Sequence, residues 1–452
     1  MRSLIDLPSE LQLPILNSLS AYDLSSLSKT NKSFRRAVEP ILYSRIRLKW
    51  DKSNTQTPPV VPFLRTIMDR PELGGLVNHL FLQGDDSHGK PDYWNPRLPL
   101  ISITGLQTDQ ASHMIRQTKI LEAHLWIQAL LAGNMDAVVA LLFSRLPNLK
   151  LVHFQENWTI FNRYLGMVLR GALCEPSKHR LPSYKDIAEV NISSQSGQYR
   201  LMAYQNTQDV LPLFYLPELH SLSIAVDSPE EFEWPSTAPR VTSVRSLNLY
   251  RLREIRLRPL MSALKNIETL KWDLWYQQDL DKTVSKPVVQ LVELASALCL
   301  MSPTLRDLTI TGDSCPAFSC GDYDPPPLYF EGSLDKMTNL HSLRRLEIPW
   351  ALLMGSFSPK STSKRLRDGV PVGVEDLVLN YDLCVNYDQM DWEDDDFIAV
   401  VEEELEHRQL VSTSLRCITL DLWGPEQLPA VEDRERLELK ATQANIKLVW
   451  YK

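Results

Sequence analysis

Cysteine, glycine and long apolar runs are all scarce in this 452-residue chain, and each scarcity removes a class of function. Six cysteines are spread along it, Cys174, Cys299, Cys315, Cys320, Cys384 and Cys417, and only Cys315 and Cys320 lie close together. No further Cys or His pair follows them at finger spacing, so no structural zinc is expected. The thin spread suits a reducing compartment, cytoplasmic or nuclear. The sixteen glycines form neither GxGxxG nor GxxxxGK, and neither HExxH nor GxSxG occurs. Nucleotide loops, zincin sites and nucleophile elbows are thereby excluded, and neither a cofactor nor intrinsic catalysis is expected. Nine histidines are scattered without a metal-ligand spacing. The longest apolar stretch, Ala129 to Phe143, is broken by Gly133, Asn134 and Asp136, short of the roughly eighteen residues a membrane helix needs. At the start, Asp6 stands where a secretory signal has its apolar run, so the sequons at Asn157 and Asn191 read as chance. Positive charge is not in excess either. Lys plus Arg is 48 against 56 for Asp plus Glu, a net charge of -8, so nucleic acid is not an expected partner.

What is present is enough apolar material, 44% of residues, for a large core, with 23% charged residues. Residues 7 to 43 read as three short helices. Pro8 and Ser9 suit a helix start, and Leu11, Ile15, Leu16 and Leu19 recur roughly along one face. Pro14 interrupts that pattern, so the regular helix is expected to begin near it. Asp23 is a candidate cap for a second helix carrying Leu24 and Leu27; Asn31 or Ser33 is one for a third carrying Phe34, Ala37, Val38 and Ile41. So small a bundle needs a partner or a neighbouring domain to pack on. A helical cap on the domain behind it is the plainer alternative.

The run Leu7-Pro8-Ser9-Glu10-Leu11, then Ile15, Leu19, Asp23-Leu24 and Leu27, ending in Asn31-Lys32-Ser33-Phe34-Arg35-Arg36, resembles an F-box. Pro14 departs from the commonest pattern, and Phe34 stands where that family often has tryptophan. The resemblance implies docking to the adaptor subunit of a cullin–RING ubiquitin ligase, and through it to a cullin. By position, Leu7, Pro8, Leu11, Ile15 and Leu16, helped by Leu19 and Leu24, would supply the apolar contact.

Further on, a six-residue template with apolar first, fourth and sixth places returns repeatedly. Copies are Val77-Leu80-Leu82, Leu146-Leu149-Leu151, Leu219-Leu222-Ile224, Val244-Leu247-Leu249 and Ile267-Leu270-Trp272. Leu305-Leu308-Ile310, Leu343-Leu346-Ile348, Val374-Leu377-Leu379 and Leu415-Ile418-Leu420 continue it. Tyr43-Ile46-Leu48 fits as an earlier copy and residues 445 to 450 as a closing strand. The last two apolar places alternate as in a strand, and helix-like stretches at 113–143, 288–299 and 397–407 lie between copies. Such units bury their apolar side only by stacking. The pattern resembles leucine-rich repeats, although steps between middle leucines run from 23 residues (Leu247 to Leu270) to 73 (Leu149 to Leu222). Hidden copies or inserted loops explain the long steps. An ordinary doubly wound α/β domain shares the strand–helix alternation.

The expected fold class is therefore α/β: a three-helix module at 1–45, a connecting segment at 46–62, and an irregular parallel-strand solenoid at 63–452. Inserted loops are expected near 84–110, 315–332 and 356–373. An F-box-like start before such repeats resembles fungal-type F-box proteins, and implies a substrate-recruiting subunit whose repeats bind an unidentified protein. The alternative is an interaction scaffold outside any ligase. Trp275, Trp350 and Trp423, placed just past predicted strands, are candidate substrate contacts, with packing at strand ends as the plainer reading. A basic run (Lys360, Lys364, Arg365, Arg367) and an acidic one (Asp391 to Glu406) read as solvated faces, as binding rims, or as partners of each other.

Overall fold

Strands that bury alternate side chains, joined in parallel, set the architecture. The computed structural model describes residues 7–50, 57–84, 100–155, 158, 162–192, 205–283, 285–315, 326–383, 390–411, 414–423 and 428–450. The chain divides into two compact units. One comprises residues 1–90, 97–195 and 208–219, the other residues 91–96, 196–207 and 220–452.

In the first unit, helices α1 (Ser9–Asn17), α2 (Ala21–Ser28) and α3 (Lys32–Ser44) lead directly into strand β1 (Arg45–Trp50). Strands β2 (His79–Gly84), β3 (Leu151–Phe154) and β4 (Glu189–Ile192) follow, each parallel to the one before. Register aligns Ile46, Leu80, Val152 and Val190 in one row and Leu48, Leu82 and Phe154 in the next. Three expectations change here. The core set in β3 is Leu149-Val152-Phe154, three residues beyond the expected Leu146-Leu149-Leu151, because strand alternation starts only after the turn that buries Leu146 and Leu149. The long step from Leu149 to Leu222 hides β4, whose Ile187-Val190-Ile192 keeps the template with β-branched residues in place of leucine. And β1 follows the earlier copy read at Tyr43-Ile46-Leu48, inside the segment 46–62 otherwise expected to be a connection.

In the second unit, β5 (Ser221–Ala225), β6 (Ser246–Tyr250), β7 (Thr269–Gln277), β9 (Asp307–Cys315), β11 (Arg345–Pro349), β12 (Asp376–Asn380), β13 (Cys417–Asp421) and β14 (Lys447–Trp450) pair in parallel in that order. Strands β8 (Val288–Gln290) and β10 (Tyr329–Glu331) form a separate parallel pair. One row of the main sheet runs Leu222, Leu247, Leu270, Leu308, Leu346, Leu377, Ile418 and Leu448. A recurrent backbone device holds the register. The carbonyl of the residue before a strand accepts two N–H groups from the next rung: Arg245 O from Glu268 (2.8 Å) and Thr269 (3.0 Å), and Glu268 O from Arg306 (2.8 Å) and Asp307 (3.0 Å). Arg306, Arg344 and Glu375 repeat it.

The connections are helical. Helices Glu254–Ala263, Leu291–Cys299, Asp394–Leu410 and Val431–Gln443 bury Leu257 and Leu260, Leu294 and Leu298, Val401 and Leu405, and Leu437 respectively. The expected helical stretch at 113–143 resolves into Thr108–Gln117, Ala123–Leu131 and Met135–Phe143. Of the expected loops, residues 85–99 and 316–325 lie outside the described residues. The second loop nonetheless contains β10, and the third holds a 3₁₀ turn, Pro359–Ser361, and a short helix, Leu366–Gly369.

One buried acid links two connections of the first unit. Asp136, 6% exposed, accepts hydrogen bonds from the N–H groups of Tyr164 (2.7 Å) and Leu165 (3.3 Å), capping helix Arg163–Leu173 from outside. Burial outweighs those two amides and, with Asp209 nearby, pushes the Asp136 carboxyl up to about 8. The fold therefore binds a proton that the unfolded chain releases near 3.8. That contribution is whole below pH 4 and declines as pH rises to 8, by on the order of 1 kcal/mol per pH unit. Denaturant unfolding between pH 5 and 8 is expected to show the decline, and Asp136→Asn, which keeps an acceptor for the helix, is expected to flatten it.

Candidate protein-docking surface

The N-terminal module is assembled from caps inward. Helix α1 starts at Ser9 behind Pro8, whose extended backbone (φ -55°, ψ 148°) occupies the cap position, and Gln12 Nε2 donates to Leu7 O at 2.6 Å. Pro14 sits inside α1 and does not delay its start. The one backbone bond it removes would run to Glu10, on an exposed turn. The cap of α2 is Ser20, not Asp23. Ser20 Oγ accepts from Asp23 N at 3.1 Å and donates to Asp23 Oδ2 at 2.6 Å. Asn31 Oδ1 caps α3 by accepting from Phe34 N at 2.9 Å.

The three helices share a core of Leu16, Leu24 and Val38, packed by Leu19, Leu27, Ala37, Ile41 and Leu42. Helix α3 is tied into the first unit twice more. Glu39 makes a two-pronged ion pair with Arg70 (2.7 and 3.0 Å), which holds the Glu39 carboxyl below its usual range. Ser44 O accepts from Asn78 N at 2.9 Å.

Phase along α1 separates the seven residues expected to dock. Leu16 and Leu24 are core, and Leu19 is half-buried against them. Leu11, Pro14 and Ile15, spaced as i, i+3 and i+4, lie along another side of α1, and Leu7 precedes the helix, before its cap residue Pro8. Leu11 is 56% exposed, Ile15 is 42% exposed, and Pro8 and Pro14 are exposed; Leu7 is half-buried. Sequence reasoning missed two further exposed residues, Leu13 and Tyr22 (81%). Helical phase separates the two sets in principle, but the leucines alone do not say which face is inward.

The tryptophans divide similarly. Trp275 lies within β7 and is 3% exposed, with the Arg251 guanidinium 5.8 Å from its ring centre. Trp350 opens the helix Trp350–Met354, fully buried, with its ring centre 5.2 Å from Trp392 and 4.8 Å from Phe397. Neither is placed as a surface contact. The chain turns into helix at Pro349 instead of running out as a loop, and β7 extends beyond its template by five residues, from Asp273 to Gln277. Trp423 is half-buried, edge-on to Phe397 and tilted against Trp450, and donates from Nε1 to Asp394 Oδ1 at 2.7 Å.

The two charge runs pair with each other. Arg365 and Arg367 both reach Glu403 Oε1 at 2.9 Å, and Glu404, 2% exposed, takes Arg408 at 2.6 Å and Arg367 at 3.5 Å. In the second unit, burial pushes Asp273 and Asp313 on the strands, and Asp382 in the turn after β12, above the ordinary carboxylate range. Two of them serve the backbone and its neighbours: Asp273 accepts from Thr311 Oγ1 (2.6 Å), and Asp382 from Gly312 N (3.2 Å) beyond the end of β11. Among the described residues, no group of three or more His, Cys, Asp and Glu is arranged to hold a metal, and no helix is long and apolar enough to cross a membrane.

Compared with known proteins, residues 4–49 match the F-box-like family model. An F-box-like domain occupies this stretch. Such a domain is a protein-interaction module with no catalytic chemistry of its own. No curated protein matches the chain.

Replacing the two sets should have opposite effects. Leu16→Ala or Leu24→Ala is expected to destabilise the helices by about 2–5 kcal/mol. Leu11→Ala or Ile15→Ala is expected to stay within about 0.5 kcal/mol of the parent. Native-state proteolysis of the segment 9–44 distinguishes the two outcomes.

Proposed function

We propose that this chain is a substrate-recruiting adaptor of a cullin–RING (SCF-type) ubiquitin ligase. The observation that carries the reading is an F-box-like domain whose first helix leaves an apolar row, Leu11, Pro14 and Ile15, exposed and outside the module's own core. Isolated apolar residues on a surface need no partner, but a contiguous helical row beside exposed Pro8 suits anchoring in an apolar groove. Leu16, Leu19 and Leu24 then serve docking indirectly, by holding the helices that present the row.

The rest of the chain is read as an irregular leucine-rich-repeat solenoid that grips a protein substrate. The returning template, the parallel strands and the repeated double-acceptor carbonyl support that reading. Of the three tryptophans, Trp423 remains a candidate contact. The benefit is proximity: docking fixes the chain on the ligase, the repeats hold the substrate's lysines near the charged conjugating enzyme, and the partner subunits do the chemistry.

The test is retention of the purified ligase adaptor subunit by the full chain and by a Leu11→Glu, Ile15→Glu double variant. The parent is expected to bind and the variant to lose about thirtyfold or more in affinity, the scale of a lost interface anchor. Equal binding by a variant with an unchanged melting profile contradicts the docking role, as does failure of the parent to bind.

A further inference from the structure

Positive charge gathers at one place in the second unit. The residues that precede successive strands form a ladder, Arg245, Glu268, Arg306, Arg344, Glu375 and Arg416, each N–H bonded to the carbonyl of the rung before. Opposite charges alternate along it: Arg245 faces Glu268 at 3.7 Å, and Glu375 faces Arg344 at 3.5 Å and Arg416 at 3.8 Å. The alternation fails once, where Arg306 and Arg344 are adjacent rungs with Arg344 N on Arg306 O at 2.8 Å. Among the described residues, the Arg306 side chain has neither an acidic partner nor a hydrogen bond.

Beside that break the surface has two depressions. The larger, about 530 Å³, is lined by Arg258, Lys336 and His341 with the hydroxyls of Ser296 and Ser302, and by no acid. The smaller, about 290 Å³, is lined by Arg306 and Arg344 together with one acid, Glu268. The two are neighbours: Ser302 and His341 line the first, and the residues that follow them, Pro303 and Ser342, line the second. Arg258 and His341 have no side-chain partner among the described residues. Lys336 Nζ donates only to Ser296 Oγ, at 3.3 Å. In a chain with a net charge of -8, this concentration of the cations Arg258, Lys336 and Arg306, without acidic partners among the described residues, is local and costs energy until an anion joins it. A carboxylate neutralises one of them, whereas a doubly charged oxyanion accepts from several donors at once, and the planar guanidinium fork matches its oxygens.

We propose that the larger depression, lined by Arg258, Lys336 and His341, with Arg306 in the depression beside it, binds a phosphoryl dianion, carried on a phosphorylated side chain or free. The site is independent of α1 and of the ligase reading. Its test is calorimetric titration of the full chain with inorganic phosphate and, separately, with N-acetyl-phosphoserine amide, at constant ionic strength. The parent is expected to bind with saturation, and an Arg258→Gln, Lys336→Gln double variant to bind about tenfold more weakly. Arg306→Gln is expected to act in the same direction, and Arg416→Gln, on a rung away from the cleft, to change affinity less than about twofold. Tighter binding of phosphoserine supports a side-chain phosphate as the ligand; equal or tighter binding of inorganic phosphate supports the free ion. Absence of saturable binding of both probes overturns the proposal. So does unchanged affinity in both the double variant and Arg306→Gln at an unchanged melting temperature.

Discussion

The repeated template places two alternating side chains of a short strand in the core, and no strand so short is stable without neighbours on its flanks. Burial of one leucine contributes about 1.5–3 kcal/mol, comparable to the backbone entropy of ordering only one or two residues. The rows through Leu80 and Val152 in one unit, and through Leu247, Leu270, Leu308 and Leu346 in the other, are therefore collective. Register within each unit must hold along a whole row, and the carbonyls that accept two N–H groups from the following rung, at Asn78 and Lys150 in one unit and from Arg245 to Glu375 in the other, supply that constraint. A backbone fixed in this way leaves the connections free to vary, which is how a helix of seventeen residues at Asp394–Leu410 and a four-residue turn at Leu366–Gly369 serve the same sheet.

The F-box-like module draws on the same constraint. Its core is three side chains and a few half-buried neighbours, too little to stand comfortably alone. Helix α3 runs without a break into β1, and Glu39 and Ser44 fasten it to Arg70 and Asn78. Strand burial in the first unit thus steadies helices whose outer row remains available. Charge is handled economically as well. Arg365 and Arg367 are spent on Glu403 and Glu404, whereas Arg258 and Arg306 are not spent on any residue described.

Much of this was legible before the structure, in proportion to how strictly a pattern constrains geometry. Alternation with an apolar residue three places ahead located most rungs correctly, because register admits few other frames. It slipped at Leu146, where a turn supplied a leucine that mimicked the template, and it passed over Ile187-Val190-Ile192 because that copy contains no leucine. Helix α1 was legible as part of a motif, while the division between Leu11 and Ile15 outside and Leu16 and Leu24 inside depends on where α2 and α3 pack. Trp350 shows the limit of arguing from position. A residue just past a strand reads as surface, yet Pro349 starts a helix there and the indole closes an aromatic cluster with Trp392 and Phe397. The pairing of the basic and acidic runs was one of several open readings, settled only by tertiary placement.

The central claim is that one row of α1 meets a partner while the rest of the module is held by the sheet. Amide hydrogen exchange of the full chain, with and without the purified ligase adaptor subunit, tests it most directly. Slowed exchange confined to α1 and the start of α2, with α3 and β1 unchanged, is the result this account predicts. Protection absent from α1, or appearing instead in the strands and helices of the second unit, would contradict it.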